Sequence, residues 1–597
     1  MPDLADDPHG EYQRRLDVRR GAAAKLEKRH VSLGNARLVV AAAAALIAVL
    51  AFRRHVVSPL WLALPAVVFA ALAFVHGRVL RAKKRCERAA AFYERGLARI
   101  EDRWRGQGEG GERFDDPSHP YAGDLDLFGK GSLFELLCTV RLRTGEETLA
   151  RWLLEPASPE EAIVRQRAVE ELRPRIALRE DLALLGEELR SGINPGALSK
   201  WAEQPLVFDS RRLRIGAALL AALAVAGAAV WAAGYTPDLF VTVIAIEAIL
   251  FFRLRGRIAQ VRTLVGEPAY GLSLLAEVLA RFERERFQSP RLVALQKDLR
   301  VEGLPPSRRI ARLNRLMELL DSSEHLLVRA IGGPLLWVPQ LVFAIEAWRK
   351  KSGPHVRRWL QATGEIEALC ALANYAYEHP RDPFPEFTAD GPCYEGEALA
   401  HPLLAESRVV RNDVRLGGEL RVMVVSGSNM SGKSTLLRTV GINAVLAMAG
   451  APVRARRLRL SPLAVGASIH TLDSLHTGSS RFYTEITRLR RLVELTNGPV
   501  PLLFLLDELL QGTNSHDRQI GAGALVRGLI GRGAIGLLTT HDLALAEIAD
   551  ALAPRASNVH FEDHLEDGKM TFDYRLRPGV VRKSNALELM RSVGLDV

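Results

Sequence analysis

Nine consecutive residues, Gly427-Ser428-Asn429-Met430-Ser431-Gly432-Lys433-Ser434-Thr435, fit the phosphate-loop pattern G-x-x-x-x-G-K-[ST]. Glycines let such a loop turn its backbone N–H groups toward the phosphates of a nucleotide, and a helix N-terminus behind it adds positive potential. Lys433 can reach the β- and γ-phosphates, and the Ser434 hydroxyl can hold Mg²⁺. A second group lies roughly seventy residues further on, where Leu502-Leu503-Phe504-Leu505-Leu506 runs into Asp507-Glu508. Carboxylates at the end of a buried strand suit two tasks: Asp507 can order Mg²⁺ through water, and Glu508 can polarise an attacking water. Together these residue types imply binding and hydrolysis of ATP or a close analogue.

The elements needed to position that chemistry are legible around it. An apolar strand, Val422 to Val425, precedes the loop, and a helical run, Thr435 to Met448, follows it. A Gly/Ser-rich turn that happens to carry a lysine would lack both, and would lack the downstream carboxylates. A further strand, Ala534 to Leu538, leads into Thr539-Thr540-His541.

At 597 residues the chain exceeds a single core, and 48% hydrophobic with only 6% aromatic residues indicates an Ala/Leu/Val-rich helical protein rather than a β-sandwich. The formal charge of +11 suits nucleic acid or an anionic membrane surface, and composition leaves both open. Cys86, Cys138, Cys370 and Cys393 are scattered without a C-x-x-C pair, so neither a zinc site nor a disulfide framework is indicated and a reducing compartment is expected.

Residues 1–30 read as a basic cytoplasmic N-terminus without the apolar core of a signal peptide. Residues 31–78 then carry two apolar runs, Leu38 to Phe52 and Val56 to Val75, parted by Arg53-Arg54-His55. The second approaches the ~20 residues a helix needs to cross ~30 Å of hydrocarbon. A buried helical hairpin is the alternative for this pair alone. A second pair at 206–253 weighs against it: Ile215 to Ala233, a turn at 234–238, then Leu239 to Phe252. Arg211, Arg212 and Arg214 precede it and Arg253, Arg255 and Arg257 follow, while the turn carries no Lys or Arg. The positive-inside rule then places both ends in the cytoplasm, and four membrane helices are expected. Glu247, inside the last run, is either functional or a helix-contact residue. Between the hairpins, Arg81 to Trp104 reads as an amphipathic helix, followed by a linker to residue 120.

The phrases Gly131-Ser132-Leu133, Trp152-Leu153-Leu154-Glu155-Pro156 and Ile163 to Leu172 resemble the core (lever) domain of the MutS family. Gly364 to Ala376 is similar to that family's last core helix, and His401-Pro402, Asn412-Asp413-Val414 and Gln511-Gly512-Thr513 resemble phrases of its ATPase, with Gln511 where Arg is usual. The resemblance runs from about Leu125 to Leu595, interrupted by the second hairpin. It implies that Ser480, in Gly478 to Glu485, closes the nucleotide site of a partner subunit. It also implies that His541 senses the γ-phosphate, and by position it puts Val409 against adenine. No mismatch-recognition domain is expected ahead of Leu125, and no nuclease domain at the C-terminus.

The expected fold is multidomain. A MutS-like α-helical core/lever (121–205 and 254–385) carries two transmembrane helical hairpins, and a C-terminal α/β P-loop (ABC-type) ATPase occupies 386–597. The expected catalytic residues are Glu508, His541 and Lys433; Gly427 to Thr435 and Ser480 bind nucleotide; Ser434 and Asp507 hold Mg²⁺. The expected protein is a homodimeric, multi-pass protein of the cytoplasmic membrane. Its ATPase acts on double-stranded DNA through Arg281, Arg284, Arg286, Arg308, Arg309 and Arg312, or else drives its own membrane helices or a protein partner.

Overall fold

Two very long helices open the chain, α1 (Pro8–Phe52) and α2 (Ala63–Ile100), joined by a turn and a 3-10 segment at Pro59–Leu62. The computed structural model describes residues 7–54, 56–192, 194–323, 332–333, 335–469, 481–510, 513–566 and 569–581. From Pro8 the polar N-terminal stretch is helical and continuous with the apolar run, because Tyr12 and Leu16 find a buried seat against Phe92, Tyr93, Leu97, Ile176 and Tyr377. The amphipathic stripe of α2 is real over Tyr93 and Leu97, whereas Trp104 is buried beyond the helix end.

Shorter helices follow: α3 (Leu133–Leu137), α4 (Arg143–Leu154), α5 (Pro159–Leu172), α6 (Ile176–Gly192) and α7 (Pro195–Glu203). Their starts are written in the sequence. Ser132, Ser158 and Asn194 each accept a backbone N–H of the first turn, and Pro follows the cap in α5 and α7. Next come α8 (Arg211–Ala232), α9 (Asp238–Glu283), α10 (Pro290–Leu299), α11 (Pro306–Ser322) and α12 (Trp337–Glu378). Every residue of α12 from Ile366 to Glu378 is buried. A helix apolar on all sides must be surrounded, and α12 packs against α4, α5, α7, α9 and α11.

Among the described residues, three helices are long and apolar enough to cross a membrane: α1, α2 with its preceding 3-10 turn, and α8. Large apolar side chains stand exposed along them, among them Leu38, Leu60, Phe74 and Leu219. The fourth expected span differs. Leu239 to Phe252 is the first part of the 46-residue α9, and its fourteen apolar-run residues rise only about 21 Å before Arg253. Glu247 is 3% exposed within α9, which packs on α8, and neither of its carboxylate oxygens has a hydrogen-bond partner among the described residues.

The C-terminal part begins with a small four-stranded sheet that sequence patterning did not signal, β1 (Glu386–Phe387), β2 (Cys393–Leu399), β3 (Asn412–Gly417) and β5 (Arg457–Leu460), ordered β1-β5-β2-β3. The larger sheet holds β4 (Val422–Ser426), β6 (Ala464–Ser468), β7 (Leu502–Asp507), β8 (Ile535–Thr540), β9 (Ala556–Glu566) and β10 (Lys569–Pro578) in the order β10-β9-β4-β8-β7-β6. All neighbours are parallel except β9 and β10. Helices α13 (Lys433–Ala449), α14 (Arg481–Leu495), α15 (Ser515–Gly531) and α16 (Leu543–Ala551) complete it. The unbroken apolar runs of β4, β7 and β8 mark strands covered on both faces.

Candidate nucleotide site

Adjacent parallel strands bring the chemistry together. In register, Val425 lies beside Thr539, and Thr539 beside Asp507, so the C-terminal ends of β4, β8 and β7 form one rim. The phosphate loop leaves β4 there and feeds α13, with Gly432 at φ 102°, a left-handed conformation that favours glycine. A cavity of about 870 Å³ opens above this rim. Asn429, Met430, Gly432, Lys433, Ser434 and Thr435 line one side of it, and Asp507 and Glu508 the other.

Lys433 is 5% exposed and donates to the carbonyls of Gly427 and Ser428, both at 2.8 Å. Its Nζ lies 3.6 Å from Glu508 Oε1. Burial pulls the Lys433 ammonium below its ordinary value, opposed by the charges of Glu508 and Asp507. The hydroxyls of Ser428 and Ser431 are buried without a hydrogen-bond partner among the described residues. Two unused donors and a lysine resting on its own loop make a cradle that fits phosphate oxygens. Ser434 is half-buried on the cavity wall facing Asp507, a donor set that fits Mg²⁺ shared with a phosphate.

Thr539, fully buried, donates its hydroxyl to Asp507 Oδ1 and accepts the Glu508 backbone N–H at 3.2 Å, which ties the Asp507 carboxylate and the Glu508 backbone to β8. Glu508 sits at φ 46°, an uncommon conformation for a side-chain-bearing residue, at the turn that aims it back toward the loop. His541 Nδ1 is 3.4 Å from Glu508 Oε1. The structure thus brings Lys433, Asp507, Glu508 and His541 together, as the sequence indicates. Ser480 and Gln511 lie outside the described residues.

Other contributors carried weaker sequence signals. Val409 and Tyr574 both line the cavity. Tyr574 reaches it because Asn412 clasps its backbone: Asn412 Nδ2 donates to Tyr574 O at 3.0 Å, and Leu576 N donates to Asn412 Oδ1 at 2.8 Å. An exposed tyrosine in a polar hairpin looks ordinary in sequence; only the β3–β10 contact gives it a role. His401 also lines the cavity, and burial first, then Arg438 and Arg454, push its imidazole down to about 4, so it is neutral at pH 7. Glu485 of α14 accepts the Leu510 N–H at 2.5 Å and braces the turn after Glu508. Asp124 pairs with Arg488 of α14 and accepts the Ile469 N–H at 2.8 Å, while Arg438 of α13 donates to its carbonyl at 3.0 Å. The core domain therefore touches both helices that flank the site.

Residues 423–596 match the family model described as MutS domain V. The chain is 34% identical over 250 residues to the DNA mismatch repair protein MutS of Natronomonas pharaonis, covering 40% of this chain and 28% of that one. It is 35% identical over 243 residues to DNA mismatch repair protein MutS 2 of Halobacterium salinarum, covering 39% and 27%. With the MutS protein of Geobacillus thermodenitrificans it shares 29% over 284 residues, 47% of this chain and 31% of the relative. The matched segment spans less than a third of each of these relatives.

Proposed function

We propose, from the premise that this chain belongs to the MutS family through its C-terminal part, that it is a membrane-anchored ATPase whose turnover is coupled to double-stranded DNA. The observation that carries the ATPase reading is the convergence of Lys433, Asp507 and Glu508 on one cavity, with His541 3.4 Å from Glu508. Lys433 would exchange its two loop carbonyls for phosphate oxygens, joined by Ser428 and Ser431. Val409 and Tyr574 would hold the base between them. Ser434 and Asp507 would hold Mg²⁺, which neutralises charge developing on the phosphates. Glu508 takes the proton of the attacking water, and His541, beside it, reports whether the γ-phosphate is present. The site is completed in a homodimer by Ser480 of the partner subunit, so ATP favours the closed pair and hydrolysis releases it.

The coupling to DNA rests on the lever arginines, and the structure sorts them. Arg281 is tied to Asp181 and Glu285, and Arg309 is buried against Val301 O and Glu302; these two hold the fold together and are withdrawn from the DNA-contact set. Arg284, Arg286, Arg308 and Arg312 are exposed. Arg284 lies 32 residues beyond Phe252, about 48 Å along a helix of 1.5 Å rise. A membrane surface screened within ~8 Å is out of reach at that separation, which favours a duplex as the polyanion. The deciding experiment is the ATPase rate of the detergent-purified protein with and without duplex DNA across a salt series. Stimulation that fades steeply with salt supports the reading, and a rate indifferent to DNA overturns it.

A second reading has its own support: a membrane machine acting on its own helices or a protein partner in the cytoplasmic membrane. The two ends of α12 are clamped to the two hairpins, Glu378 to Arg99 of α2 and Glu346 to the Val207 and Phe208 N–H groups just ahead of α8. ATP turnover unaffected by DNA but altered by reconstitution into a bilayer would favour it.

A further inference from the structure

The foot of the second hairpin carries six arginines and no carboxylate partner for any of them. Arg211, Arg212 and Arg214 begin α8, and Arg253, Arg255 and Arg257 stand at the corresponding level of α9. All six are exposed, and among the described residues none forms an ion pair. Immediately beyond them the surface turns apolar, with Ile215 51% and Phe252 64% exposed. A sharp change from unpaired cations to exposed aliphatic and aromatic side chains is the profile of a bilayer interface.

A cavity of about 570 Å³ opens at this level, between the first turn of α8 and α12. α8 lines it with Arg211, Arg214, Ile215 and Ala218, and α12 with Phe343, Lys350 and Lys351, so cationic and apolar side chains meet across it, with Phe208 beside them. The acids nearby are already satisfied. Glu346 accepts N–H groups of Val207 at 2.6 Å and Phe208 at 3.2 Å and pairs with Arg349 at 2.9 Å. Asp209 is held by Lys350, and Lys351 lies 2.6 Å from Glu302. Arg211 and Arg214 are left as the uncompensated charge at the mouth. Phe208 and Phe343, ring centroids 5.1 Å apart, close the floor.

We propose that this cavity is a binding site for an anionic phospholipid, whose headgroup phosphate meets Arg211 and Arg214 while an acyl chain lies along Ile215 and Ala218. The inference rests on the membrane reading of the hairpins given above. A duplex is too wide for a cavity of this size, and free phosphate would leave the apolar side chains bare. Because Glu346 of α12 frames the cavity, an occupied site also braces the lever helix against the membrane hairpin.

The test uses the full chain in detergent, titrated with a fluorescent phosphatidylglycerol and competed with unlabelled phosphatidylglycerol, phosphatidylcholine or inorganic phosphate. Each arginine near a membrane surface contributes about five-fold in affinity, so Arg211→Gln/Arg214→Gln should bind roughly twenty-five-fold more weakly. The control Arg284→Gln/Arg286→Gln should bind like the parent, and only phosphatidylglycerol should compete. Equal binding by the Arg211/Arg214 variant, or equal competition by phosphatidylcholine or inorganic phosphate, overturns the proposal. Flotation with phosphatidylcholine vesicles separates the two levels of failure: a protein that does not float defeats the membrane reading and this site with it. One that floats but shows no phosphatidylglycerol preference defeats the site alone. Unchanged nucleotide binding by the variant reports that it is folded.

Discussion

Arg99 of α2 donates two hydrogen bonds, 2.7 and 2.6 Å long, to the two carboxylate oxygens of Glu378, the last residue of α12. The Tyr12 hydroxyl of α1 lies 3.4 Å from the same carboxylate. The first hairpin is thereby fastened to the helix end from which the chain enters the ATPase domain. Removing one partner from a buried pair strands the other charge, so Arg99→Met should cost about 3–5 kcal/mol of stability. Arg99→Met/Glu378→Gln should recover most of that loss in thermal unfolding of the detergent-purified protein. Equal destabilisation by the single and double variants would show that the charge pair is not the source of the effect.

Glu508→Gln should bind ATP as the parent does and turn it over about 10²–10⁴-fold more slowly. Phosphate release and equilibrium nucleotide binding, measured side by side, check this. Retained turnover would remove Glu508 from the role of base.

Thr539 tests how Asp507 is oriented. Thr539→Val keeps the shape of β8 but deletes the hydroxyl that bonds Asp507. The Mg²⁺ concentration for half-maximal turnover should rise about 10–100-fold, the usual consequence of removing a hydrogen bond from a metal-ligand carboxylate. An unchanged Mg²⁺ requirement would place Asp507 outside metal binding.

If the site is shared between subunits, Lys433→Ala and Ser480→Ala proteins should each be impaired alone and recover activity when mixed. Each variant supplies the group that the other lacks. Mixtures no more active than their components would indicate a site complete within one chain.

Glu367 of α12 gives a pH dependence with a definite sign. It is 6% exposed and accepts the Leu142 N–H at 3.0 Å, and burial raises its carboxyl from 4.5 to about 7. Between those values the folded chain holds a proton that the unfolded chain has released, so stability falls as pH rises through that window. The loss amounts to about 3 kcal/mol. Glu367→Gln should flatten it, and the denaturation midpoint measured at pH 5 and pH 8 decides. A parallel fall in the variant would assign the pH dependence elsewhere.

The phosphate loop and the carboxylate pair were readable because their constraints are local: a glycine that must turn, a lysine that must reach, an apolar run that must end at a rim. The same holds for the capped helices at Ser132, Ser158 and Asn194. What escaped the sequence depends on distant partners. Tyr12 looks like part of a polar tail until Tyr93 and Tyr377 meet it at 5.5 and 5.3 Å. Tyr574 gains its place only from Asn412, far back in the chain. The apolar run Leu239 to Phe252 continues without a break into a helix that packs in the core, because such a run shows where water is excluded but not where its helix stops. Sequence likewise shows the charge of a lever arginine but not the carboxylate across from it, as at Arg281 and Arg309.

α1 and α9 leave their apolar segments as continuous helices that carry on into the packed core, α9 with Pro268 inside it. A chain tethered by a floppy leash could tumble and meet a partner from any angle. If the apolar segments cross a bilayer as proposed, rods of this kind would fix the height and heading of each C-terminal domain above its plane. Two copies of the proposed dimer would then search for one another in two dimensions with their nucleotide faces already level, which would raise their effective concentration without any added contact. Pairing would respond to surface density in the membrane, so crowding the copies into a smaller area would itself promote ATP turnover.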